Sequence, residues 1–153
     1  QKALRETHPY ETVAYEVYSL INSFSGVGIG RIGSLEKEMD LSSFLNHVKK
    51  QLNSDAIRHS HPPKKLIKKV AVVAGSGSFA IEDAKRQGAD AFITSDLKYH
   101  QFYQGEKNVL LVDVGHYESE HYVKNLIFDY LTKKLPNFAF VLSQTKTNPV
   151  NYF

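Results

Sequence analysis

The 153-residue chain has no cysteine, no tryptophan and a single methionine. Without cysteine there is no disulfide framework, no thiol nucleophile and no thiolate zinc site. Thiol content therefore says nothing about the compartment, and the cytoplasm stands only as the default. No apolar run approaches the roughly 20 residues that a membrane-spanning helix requires, and no signal-peptide pattern opens the chain. One-sided charge is lacking as well. Lys plus Arg is 19 and Asp plus Glu is 16, a net charge of +3, which is too mild to imply a nucleic-acid partner. What is present is globular: 42% apolar and 23% charged residues, in a length that suits one domain with a sizeable core. Seven histidines are left for metal or acid–base work.

The chain begins without Met. Residues 3–7 read as the last turns of a helix, stopped by the restriction that Pro9 places on His8, and an opening in mid-helix reads as a piece of a longer product. Residues 13–20, VAYEVYSL, have the β-branched and aromatic pattern of a strand. Glycines at 26, 28, 30 and 33 mark a boundary loop that enters a short strand over 29–35. Asp40 and Ser42 offer N-caps for a helix through Leu52, with Leu41, Phe44, Leu45, Val48 and Leu52 at helical spacing. A short strand at 56–60 and an exposed HPPKK turn follow. Between Lys49 and Lys69 lie seven Lys or Arg and one acid, Asp55; this reads as a solvated face.

The second half is more regular. KKVAVVAG, DAFITSD, NVLLVDVG and FAFVLSQ read as strands. GSGSFAIEDAKRQGA, LKYHQFYQGEK and ESEHYVKNLIFDYLTKKL supply a turn with a short helix, a second helix and a long one. Apolar strands alternating with helices predict an α/β fold: a layered, largely parallel sheet with helices on both faces.

In such a sheet ligands bind beyond the carboxyl ends of the strands. Three of those ends carry unusual residues: GSGS at 75–78, TSDLKYH at 94–100 and DVGHYESE at 113–120. Their convergence on one edge is the first reason to expect a site. His116 and Glu120 stand four apart at a helix start, so both project from one face and can chelate a divalent ion. Glu118 and His121 point elsewhere. HxxxE is also a common spacing, and on spacing alone a plain His–Glu pair, or an acid near a helix N-terminus, comes first. Two ligands do not complete a site either, since a catalytic metal usually takes three protein groups. The 75–78 turn is a tight turn or an anion cradle. Asp96 is read as the cap of the next helix. Lys98, Tyr99 and His100 offer a cation, a phenol and a titratable imidazole near the same strand end.

Taken in order, THPYETVAYEVY, GIGRIGSL, VAVVAGSGS, GADAFITSDLKYH, DVGHYESE and QTKTNPVNYF resemble one family. It is the dinuclear-metal-centre proteins described as GTP cyclohydrolase I type 2-like, or Nif-three-like. The resemblance covers essentially the whole chain but only the C-terminal part of such a protein. It implies that residues 1–27 are the tail of a PII- or CutA-like inserted module and that 28–153 are the second half of a two-half metal-binding core. It implies two divalent ions per site in the intact protein (zinc, manganese, iron or magnesium), with His116 and Glu120 among the ligands. A His-His pair and an Asp from the first half would supply the rest. No His-His pair occurs here, and His59 and His61 sit in a different context, so for these 153 residues alone the expectation is weak or no metal binding.

The implied function is metal-dependent hydrolysis of a nucleotide or phosphoester. In it His100 moves a proton, Lys98 and Tyr99 bind substrate, and the intact protein forms a homo-oligomer, a hexamer in the family. The alternative is a metal-stabilised scaffold or regulatory binding protein without catalysis.

Overall fold

The computed structural model describes residues 1–18 and 26–152. Its elements are α1 (Lys2–Thr7), β1 (Arg31–Asp40), α2 (Leu41–Leu52), β2 (Arg58–His59), β3 (Leu66–Ser76), α3 (Ile81–Arg86), β4 (Ala91–Ser95), β5 (Leu110–Asp113), α4 (His116–Glu120) and α5 (Val123–Lys134). Two 3₁₀ segments join them, Ser78–Ala80 before α3 and Tyr99–Gly105 before β5.

The five strands form one sheet in the order β1-β3-β4-β5-β2. The three central strands are parallel and each edge strand is antiparallel to its neighbour. Every residue of β4 and β5 is buried, as expected of parallel strands covered on both faces. The core divides accordingly. On one face Phe44 and Val48 of α2 pack with Ile67, Ala91, Ile93, Leu110 and Val112. On the other, Ile81 and Ala84 of α3 pack with Ala71, Val73, Phe92 and Leu111. The expected layered α/β sheet, helices on both faces, is what forms.

Asp40 caps α2 as expected: its Oδ1 accepts from the Ser43 N–H at 3.0 Å, and the helix ends at Asn53 in the left-handed region. Asp90 fastens the start of β4 to β3. Its Oδ2 accepts the backbone N–H groups of Lys68 and Lys69 at 3.0 and 2.8 Å, and Oδ1 takes the Lys64 ammonium at 2.6 Å.

Five expectations about elements need correction. Residues 13–18 form no strand, and Val17 and Tyr18 are exposed; β-forming side chains do not make a strand without a neighbour to share backbone hydrogen bonds. Positions 19 and 20 of that expectation lie outside the described residues. β1 is longer than the short strand expected, and its Glu36-Lys37-Glu38 run is the exposed side of an edge strand whose Leu35 and Met39 pack inward. The helix expected after β4 is a 3₁₀ segment, drawn tight where Gly105 lies against Leu111. The long helix expected from Glu118 to Leu135 divides into α4 and α5 at His121–Tyr122. There the His121 ring stacks on Tyr117 and meets Tyr122, whose hydroxyl donates to the Gln51 carbonyl at 3.0 Å. Finally, residues 138–144 form no strand and pair with neither edge strand, β1 or β2.

Candidate metal centre

Parallel strands bring their carboxyl ends to one edge, and β3, β4 and β5 deliver GSGS, TSD and DVGH there. The Thr94 hydroxyl donates to the Gly75 carbonyl at 3.0 Å and accepts the Gly77 N–H at 2.9 Å. Asp113 accepts the Leu97 N–H at 2.9 Å and pairs with Arg58. Ser119 of α4 accepts the Gly75 N–H at 2.8 Å. The three ends expected to converge do so, and α4 is bound onto them.

His116 stands at the centre. Its Nδ1 lies 2.5 Å from Asp96 Oδ2 and its Nε2 lies 3.0 Å from Glu120 Oε2. An ionised carboxylate only accepts, so Nδ1 carries a proton toward Asp96. Nε2 then presents a lone pair to the Glu120 oxygen, and two acceptors at that distance are compatible only with a positive group between them, a proton or a metal ion. Two donors bound to one tetrahedral zinc at about 2.0–2.2 Å would stand roughly 3.3–3.6 Å apart, so the pair would open by a few tenths of an ångström around a shared ion, whereas at 3.0 Å it has the spacing of a proton-bridged pair. The Asp96–His116 contact is the carboxylate–imidazole arrangement that fixes the tautomer of a metal-binding histidine. The hydrogen bond to Asp96 holds the His116 pKa above its ordinary value; partial burial opposes this, and the charges of Asp96 and Glu120 add to it.

Backbone conformation makes room for the pair. Gly75 has φ +65°, and a Cβ there would overlap Glu120 Oε1 and come within 3.3 Å of His116 Nε2. Asp96 itself has φ +58°, a sparsely populated conformation for a residue with a side chain. Sequence reasoning made Asp96 a helix cap. It caps nothing: Lys98 is the residue before the 3₁₀ segment, and Asp96 turns to His116 instead. The serine before it, Ser95, is buried with no hydrogen-bond partner for its hydroxyl among the described residues.

The pair opens into a cavity of about 770 Å³. Its walls come from Arg58, Asp96, Asp113, α4 and the irregular terminal segment, including Thr145, Asn148 and Tyr152. The Asn148 amide donates to Glu118 at 3.2 Å, and Lys124 donates to the Ser143 carbonyl at 3.2 Å, so the terminal segment is fastened across the opening. Burial, with Glu118 and Asp113 nearby, raises the pKa of the Tyr152 phenol.

Of the residues singled out from sequence, His116 and Glu120 meet in this cavity, while Lys98, Tyr99 and His100 are not among those lining it. The Tyr99 hydroxyl lies 2.7 Å from that of Tyr103, in a separate shallow recess with His59 and His61. Asp96, Arg58, Glu118 and Asn148 were missed as site residues. The only sequence signal for the first was its place directly after β4. Among the described residues no group of three His, Asp or Glu side chains is arranged to hold one ion. The fit is therefore to a two-donor share of a site.

Residues 2–149 match the family described as Duf34/NIF3 (NGG1p interacting factor 3). The chain is 32% identical over 158 residues to a Bacillus subtilis protein named GTP cyclohydrolase 1 type 2 homolog, covering 98% of this chain and 41% of that one. It is 35% identical over 156 residues to a Staphylococcus epidermidis protein of the same name, covering 99% of this chain and 42% of that one. A crystal structure of a Bacillus cereus protein related to NIF3 superposes with a TM-score of 0.72 at 35% identity, over 99% of this chain and 43% of that one. The chain thus spans about two fifths of the length of the relatives it matches.

Proposed function

The chain belongs to the Duf34/NIF3 family, and from that premise we propose that it carries part of a divalent-metal site serving hydrolysis of a nucleotide or phosphoester. The observation behind this reading is the His116–Glu120 pair, Nε2 and Oε2 3.0 Å apart over a glycine whose Cβ would fill the space. A divalent ion there would supply Lewis acidity and an acidified water. The chain's own residues do the rest. Asp96 orients the His116 ring and keeps its proton on Nδ1. Asp113 holds Arg58 at the cavity wall. The terminal segment, bound through Asn148, walls the ligand from bulk water.

The remaining donors, and the second ion, belong under this proposal to the other half of a two-half core. Residues 28–153 form one half, and 1–27 are the tail of an inserted PII- or CutA-like module. Two donors compete poorly with water, so this chain alone binds metal weakly. Lys98, Tyr99 and His100 follow Asp96 on the same sheet edge. They take their roles, substrate contact for the first two and proton transfer for His100, only where substrate extends beyond the cavity wall described above. The proposed assembly is a homo-oligomer.

The second reading, a metal-stabilised scaffold without turnover, is favoured by the position of His100 outside the cavity lining. Turnover of GTP and of a model phosphodiester by a polypeptide carrying both halves, with Mn²⁺ or Zn²⁺ added, separates the two. The hydrolase reading expects turnover that His116→Ala removes; bound metal with no turnover favours the scaffold.

A further inference from the structure

Outside the His116 cavity, the short edge strand β2 brings a second pair of imidazoles together. Arg58 borders the cavity, and its guanidinium lies 5.5 Å from the centre of the Phe102 ring. Phe102 in turn borders the separate recess, of about 330 Å³, that holds His59, His61, Tyr99, Tyr103 and Glu106.

The backbone under the two histidines is pinned. β2 ends at His59, and Ser60 extends the contact with β5. Its N–H donates to the Leu111 carbonyl at 3.0 Å, and its hydroxyl accepts the Leu111 N–H at 2.9 Å. Ser60 is buried, and in an extended chain its two neighbours point the opposite way. His59 and His61 are accordingly both exposed. Pro62 keeps His61 in the extended region. Residues two apart in such a chain stand about 6.6 Å from each other, so imidazoles on one side can close on a single ion.

The donor atoms are also available. His59 Nδ1 lies 2.8 Å from the Ser60 carbonyl. A carbonyl only accepts, so Nδ1 carries the proton and Nε2 keeps its lone pair. A backbone carbonyl on Nδ1 is one of the contacts that fix the tautomer of a metal-binding histidine. His61 enters a hydrogen bond only through its carbonyl, and Glu106 only through its backbone. Among the described residues the His61 imidazole and the Glu106 carboxylate are therefore unengaged. No three His, Asp or Glu side chains there are arranged around one ion, so the two imidazoles are the donor set and Glu106 adds charge at the rim.

We propose that His59 and His61 form a second metal site, for a divalent ion that prefers imidazole, such as Ni²⁺, Cu²⁺ or Zn²⁺. His59 binds through Nε2, His61 through a ring nitrogen, and water fills the remaining positions. Imidazole suits these ions, whereas carboxylate and water suit Mn²⁺. His116 and Glu120 take no part, so the inference stands apart from the proposed function.

The test is Ni²⁺ added to the full chain, with paramagnetic broadening followed by NMR. Low Ni²⁺ should broaden first the rings of His59 and His61 and those of Tyr99 and Tyr103 beside them. His59→Ala and His61→Ala should each weaken Ni²⁺ binding at the recess at least about tenfold, no less than the loss of an outer-shell partner costs. Both positions are exposed, so the rest of the spectrum should stay as in the wild type. His116→Ala should leave the broadening at the recess unchanged. Broadening that begins at another histidine, or an affinity that neither recess variant lowers, overturns the assignment. Failure of Mn²⁺ to reach His116 and Glu120 would count against the other site alone.

Discussion

A single imidazole, His116, is the centre of the proposed site, and its neighbours decide its state. His116 is held above its ordinary pKa of about 6.5 first by the hydrogen bond to Asp96 and then by the charges of Asp96 and Glu120, against the opposing effect of burial. A raised folded-state pKa stabilises the fold at pH below the ordinary value, and that contribution disappears as pH rises through the raised one. Asp96→Asn removes the dominant cause, so the His116 titration followed by NMR without metal should move down toward the ordinary value; an unmoved titration denies Asp96 its role. Sequence reading reached His116 and Glu120 through their spacing. It missed Asp96, because a carboxylate after a strand is more often a cap, and only the left-handed turn at Asp96 aims the side chain back across the sheet edge.

At the scale of elements, legibility followed the strength of local signals. α2 was readable because cap, apolar spacing and helix stop agree, β4 and β5 because buried parallel strands are apolar on both sides, and β3 because its apolar run is β-branched although only alternate residues are buried. The failures at 13–18 and 138–144 were strands on side-chain pattern but without a backbone partner, a condition that no window of sequence contains. The junction of β3 with β4 yields a prediction. Burial opposes the charge of Asp90, but the Lys64 ammonium and the Lys69 and Lys68 N–H groups outweigh it, and its pKa is lowered. A lowered carboxylate pKa contributes stability above the unfolded value near 3.9 and loses it as pH falls through the folded one. Asp90→Asn should therefore lower the urea midpoint at pH 7, and the gap from wild type should close as pH drops below about 4. A gap constant from pH 7 to 3 would refute the ion-pair account.

For the whole molecule, the sheet is a device for bringing three strand ends to one edge, and the irregular terminal segment closes that edge into a cavity. The family resemblance was legible in six short motifs spread along the chain, yet the wall that Asn148 and Tyr152 form was not, because those residues meet α4 only through the tertiary fold. α5 shows the reverse. It has no buried residue, and Leu126, Ile127 and Tyr130 lie exposed along it, so its apolar spacing reports a helix without reporting what it packs on. The central claim is that His116 and Glu120 share a cation. Paramagnetic broadening by Mn²⁺ tests it most directly, since it detects weak binding residue by residue. The account predicts that low Mn²⁺ selectively broadens the resonances of His116, Glu120 and Gly75, and that His116→Ala abolishes the effect. Broadening centred elsewhere, or unchanged in that variant, contradicts it.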